Sequence, residues 1–157
     1  MKAKPIIGKL MMAFLLVSIG VAIGREMVLR SIEVAPDPPV GENKVVLYYL
    51  HTWPCPDCTA VEAAAEKLVH EEFADEVRAD RLEFHSLNYM DPAKPRNTEL
   101  ARKYNVGENV IIAVRLEDGR EAQIVRMDEV MNLVHDKEKL RQYLRDGIGE
   151  ALRGLES

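Results

Sequence analysis

The chain has two cysteines, Cys55 and Cys58, and they stand as C-P-D-C between two very different stretches. Upstream lies Val45-Val46-Leu47-Tyr48-Tyr49-Leu50, a continuous β-branched, aromatic and aliphatic run that suits a strand buried on both faces. Downstream, Val61, Ala64, Ala65, Leu68, Val69, Phe73 and Val77 recur with the 3.6-residue period of an amphipathic helix. A buried strand, a short loop from His51 to Pro54 and a helix that opens at the cysteines are therefore expected in succession. At a helix start this spacing brings the two sulfurs within bonding reach, and no other cysteine exists to pair with either. Orphan amides and the positive end of the helix dipole favour a thiolate on the first cysteine. Cys55 is thus expected to attack, and Cys58 to resolve the mixed disulfide.

The rest of the domain follows from periodicity. Arg81 to Tyr89 alternates and reads as a second strand, closed by Asp91-Pro92. Asn97 is expected to cap a helix running through Tyr104. Val110 to Leu116 and Glu121 to Met127 flank Glu117-Asp118-Gly119-Arg120, and Asp-Gly between two strand-like runs signals a hairpin. Asp128 or Asp136 then caps a helical end carrying Val130, Leu133, Val134, Leu140, Tyr143, Leu144, Ile148 and Leu152. The order β-α-β-α-β-β-α predicts a mixed α/β sandwich. Its two strand-helix-strand crossovers call for parallel neighbours, and its hairpin adds an antiparallel edge.

The ends of the chain differ in charge. Residues 1–30 carry a net +4, which leaves −9 on residues 31–157 of a 157-residue chain whose overall charge is −5. With no long basic run, an electrostatic grip on nucleic acid phosphates has little to work with. Residues 5–24 are uncharged except for Lys9 and, as a helix, would span roughly 30 Å, the thickness of a bilayer core. Lys9 stands one turn inside that end, where its ammonium can snorkel to the headgroups. Residues 1–30 are thus expected to be a signal anchor. A cleaved signal peptide, ending near Ala22-Ile23-Gly24, is the competing reading. Lys2, Lys4 and Lys9 outnumber Arg25 and Arg30, which favours a cytoplasmic N-terminus and an extracytoplasmic domain, or a secreted one if the signal is cleaved. Residues 31–43, with three prolines, read as a tether, and the domain is expected over 44–157.

The stretches T-W-P-C-P-D-C, S-L-N-Y-M-D, L-A-R-K-Y-N-V and V-I-I-A-V-R-L-E-D-G-R resemble the thioredoxin family in order and spacing, over about residues 44–150. Within it, the chain is similar to a group of small, often membrane-anchored proteins known as the ArsF family, described by homology as a nitrophenyl compound nitroreductase subunit. The resemblance implies a thioredoxin-like three-layer sandwich. It also implies Cys55 as attacking and Cys58 as resolving cysteine, with Trp53 flanking the site. Departures lie close to the sulfurs. Pro54 separates Trp53 from Cys55, and the dipeptide between the cysteines is Pro56-Asp57 instead of Gly-Pro. Asp57 would favour the helix start but oppose a nearby thiolate. The family's cis-proline has no counterpart, since Val110 falls there, and Asn109-Val110 is expected to be trans.

The expected activity is thiol-disulfide exchange with protein or small-molecule thiols and disulfides, without a cofactor. The alternative is a noncatalytic module that docks a partner or holds a soft metal ion on Cys55 and Cys58. A structural zinc site would need four ligands, and His51, His70, His85 and His135 are scattered along the chain. His51, four residues before Cys55, is a candidate to tune its proton. The acidic residues Glu71, Glu72, Asp75 and Glu76 read as a solvated helix face.

Overall fold

A computed structural model describes residues 43–52 and 55–156. The expected anchor at residues 5–24, most of the tether, Trp53 and Pro54 lie outside the described residues. Strand β1 (Lys44–His51) leads to helix α1 (Pro56–Glu72) and a short α2 (Ala74–Arg78). Strand β2 (Leu82–Asn88), helix α3 (Pro95–Lys103) and the hairpin β3 (Val110–Glu117) and β4 (Arg120–Met127) follow. The described chain closes with α4 (Val130–Leu133), α5 (Lys137–Arg153) and a 3-10 turn.

The four strands form one sheet in the order β2-β1-β3-β4. β1 is the hydrophobic run, and its two faces feed two cores because successive side chains alternate. Val45, Leu47 and Tyr49 pack with Val61, Ala65, Leu68 and Val69 of α1 and with Leu140, Leu144 and Ile148 of α5. Val46, Tyr48 and Leu50 pack on the other side with Leu87, Ile112 and Val114, beside Leu100 and Ala101 of α3. Helices on both faces of a mixed sheet in this strand order make a thioredoxin-like α/β fold. At the open end of β1, buried Lys44 is ion-paired with Glu83 of β2.

Local chemistry explains the junctions. Asp118 and Gly119 both have positive φ, at 50° and 73°, which is what a two-residue hairpin turn needs and Asp-Gly supplies. Asp136 caps α5 by accepting a hydrogen bond from the Lys139 amide. The long helix expected after the cysteines is broken at Phe73, yet Phe73 and Val77 still pack against the core, so the period persists across the break.

Three expectations need correction. β1 and β2 are parallel, but β3 is antiparallel to β1, so only the first crossover joins parallel neighbours. The reason is reach: nine-residue α3 is only ~14 Å long. A seven-residue strand is ~23 Å, so α3 alone does not return the chain to the start of β2. The helix is also pinned where β2 ends, with Asn97 Nδ2 donating to Asn88 O and Thr98 Oγ1 to Tyr89 O. Secondly, Asn97 does not cap α3; Lys94 occupies the cap position without a side-chain bond, and Asn97 is fully buried inside the first turn. Thirdly, Glu72 is not merely solvated: Arg141 and Arg145 of α5 both bond its carboxylate.

Candidate redox site

The end of β1, the start of α1, the entry to β3 and α4 meet around the two cysteines. Cys55 has an extended backbone, φ −134° and ψ 160°, and serves as the N-cap of α1, with Pro56 in the first helical turn. A helix leaves its first amides unpaired, so a cap acceptor is needed there, and the Cys55 sulfur fills that place. The Cys58 amide donates to Cys55 Sγ at 3.1 Å. The two sulfurs are joined as a disulfide, with Cα atoms 5.0 Å apart. Cys55 is half-buried, and Cys58, one turn inside, is only 4% exposed. An incoming thiol therefore has easier access to the Cys55 side of the bond.

The inner sulfur has a partner from a distant part of the chain. Asn109, immediately before β3, donates from Nδ2 to Cys58 Sγ at 3.2 Å. Its Oδ1 accepts from the Thr52 amide at 3.0 Å and from the Thr52 hydroxyl at 3.4 Å. Because a backbone amide can only donate, the oxygen must face Thr52, and the NH2 must face the sulfur. Nδ2 also lies 3.8 Å from Met131 Sδ of α4, and the Tyr49 hydroxyl lies 4.0 Å from the same sulfur.

The other candidates are spread around this centre. His51 stacks on the Tyr49 ring with centroids 5.2 Å apart. Pro56 is exposed and Asp57 half-buried in the first turn of α1, with Asp57 Oδ2 4.0 Å from His135 Nε2. Val110 is buried in the α3-side core and pairs with Leu50. Asn109 is the residue of that junction whose side chain reaches the disulfide. The Asn109–Val110 peptide is trans, as are all the described peptides. Burial pushes the Tyr49 hydroxyl well above its ordinary range, so it stays protonated at neutral pH. Among the described residues, no group of three or more His, Cys, Asp and Glu side chains is placed to hold a metal ion. In the disulfide form the cysteines offer no thiolate to one.

No family model and no curated protein matches the chain. Solved structures that match include a thioredoxin from Trypanosoma brucei brucei, 21% identical, covering 75% of this chain and 93% of that one, with a TM-score of 0.42. A thioredoxin from Fasciola hepatica is 17% identical over 66% of this chain and 84% of that one, with a TM-score of 0.38. A mutant thioredoxin from Halobacterium salinarum is 19% identical over 69% and 78%, with a TM-score of 0.39. At these values it is the strand order and pairing themselves that define the fold.

Proposed function

We propose that the chain is a thiol-disulfide oxidoreductase, or a redox-linked module, that cycles Cys55 and Cys58 between disulfide and dithiol. The observation that carries this reading is the position of the disulfide at the start of α1, with an amide donating to the outer sulfur and the inner sulfur buried. Fixed donors at a helix start stabilise a thiolate on Cys55, and the thiolate is the reactive form. In the reducing direction, Cys55 thiolate attacks one sulfur of a substrate disulfide and expels the other as a thiolate. Cys58 then attacks Cys55 Sγ, releasing the second substrate thiol and restoring the disulfide. The domain's own oxidation balances the substrate's reduction, and the reverse sequence oxidises a dithiol.

The substrates we propose are protein or small-molecule thiols and disulfides. We also propose that residues 5–24 tether the domain to a membrane with the domain on the extracytoplasmic side, where disulfides persist. The apolar length of that stretch supports the tether. Among the described residues, no helix is long and apolar enough to cross a membrane. The ArsF group is the narrower assignment that the sequence likeness supports.

Equilibration in glutathione buffers, followed by alkylation and separation of the two forms, tests the redox reading. A cycling pair should show a potential above roughly −300 mV, whereas a purely structural disulfide typically lies below that value. A pair that never opens would leave a docking module held by a structural bond. Because the peptide before Val110 is trans and the family's cis-proline is missing, insulin reduction should be slow relative to an ordinary thioredoxin. Small disulfides should still be reduced. Insulin turnover equal to that of thioredoxin would contradict the expected effect of this loop.

A further inference from the structure

We propose that Asn109 is the positioning residue of the resolving step: its side-chain amide holds a hydrogen-bond donor on Cys58 Sγ and stabilises the Cys58 thiolate that closes the disulfide. The inference rests on the redox reading above and deepens it by assigning the second half of the exchange its own donor.

The geometry separates the two sulfurs. Cys55 Sγ receives the Cys58 amide at the helix start, and Cys58 Sγ receives Asn109 Nδ2. Cys58 is nearly inaccessible, so water contributes little to solvating a charge there, and burial alone would hold the thiol protonated. A neutral donor already fixed against the sulfur offsets that penalty. Hydrogen bonds to an ionised acceptor are about twice as strong as neutral ones, so the contact strengthens when Cys58 loses its proton. Thr52 holds the amide from behind, and the donor does not have to reorient as charge develops.

The elements that meet at the pair also carry titratable groups. β1 contributes Tyr49 and His51, α1 contributes Asp57 and Glu62, Glu108 precedes Asn109, and His135 follows α4. Asn109 can neither take nor give a proton, so Cys58 releases its proton to water. The thiolate then attacks Cys55 Sγ of the Cys55–S–S–R adduct, the Cys55–Cys58 bond forms, and R–S⁻ leaves and is protonated by solvent. Cys58 is oxidised as the R sulfur is reduced.

The test uses the reduced full-length protein and 5,5′-dithiobis(2-nitrobenzoate), which releases one coloured thiolate when Cys55 attacks and a second when Cys58 resolves. The two phases are followed across pH in the unaltered protein, Asn109→Ala and Asn109→Asp. In Asn109→Ala the midpoint of the second phase should rise by about one pH unit, a tenfold loss of thiolate at neutral pH. The less acidic thiol is more nucleophilic, with a Brønsted slope of about 0.4 to 0.5, so the observed slowing should be about threefold. The first phase should not move. Asn109→Asp has the same size and still accepts from Thr52, but it turns an oxygen toward Cys58; its second-phase midpoint should rise further, and it reads the donor role even if the alanine variant fails to fold. An unshifted or lowered second-phase midpoint in Asn109→Asp overturns the proposal, as does an equal shift of both phases in both variants. If the unaltered protein shows no second release, the redox reading itself has failed.

Discussion

Cys55 and Cys58 carry the same side chain in unlike surroundings: one is half-buried at a helix cap, the other nearly sealed one turn deeper. Exposure should decide which sulfur meets a substrate. Cys58→Ser is therefore expected to accumulate mixed disulfides through Cys55, and Cys55→Ser is expected to trap none; mass spectrometry of non-reduced adducts reads the outcome. Adducts on Cys58 alone would reverse the roles. The two cysteines were legible in the sequence because everything that brings them together is local: three residues of spacing and the start of a periodic helix. Asn109 was not. It lies 51 residues from Cys58, and no short pattern links an asparagine before β3 to a sulfur on α1. Only the pairing of Val110 with Leu50, at the end of β1, carries it there.

Helices and strands divide along the same line. α1, β1, the hairpin and α5 were readable because each is long and periodic, or marked by Asp-Gly or an aspartate cap. α3 is short, and its path is set by tertiary bonds. Asn97 is completely buried, and its amide donates to the end of β2. Asn97→Ala should leave the Asn88 carbonyl without that donor and cost about 1 to 3 kcal/mol, visible as a lower urea midpoint. Glu72 joins α1 to α5 in the same way. The hydrogen bond from Arg145 is the main cause that draws its pKa down to about 2, with Arg141 assisting. An unfolded glutamate titrates near 4.3, so this stabilisation is fully present above about pH 4.3 and fades as the pH falls through about 2. Glu72→Gln should have a lower urea midpoint than the unaltered protein at pH 7, and the two should converge on acidification toward pH 2. A gap that stays constant over that window would mean that the ion pairs are not its cause. The carboxylate is partly exposed, so salt should narrow the gap at neutral pH.

At the scale of the whole molecule, an acidic α/β domain follows an N-terminal stretch of opposite charge. Alkaline carbonate extraction of expressed full-length protein tests the proposed tether. Retention in the membrane pellet is expected, an intact soluble chain would exclude an anchor, and a mature N-terminus near Arg25 would indicate a cleaved signal. By itself the sequence determined the spacing of the cysteine pair, the order of the long elements, the hairpin and the mixed α/β class, because each depends on neighbours in the chain: spacing, period, turn residues and caps. The tertiary structure alone decided that β3 runs antiparallel to β1, that Asn97 and Glu72 tie elements together, and that Asn109 faces Cys58. These depend on where a short helix is pinned and which strand ends become neighbours. A local pattern carries no record of contacts made between residues dozens of positions apart.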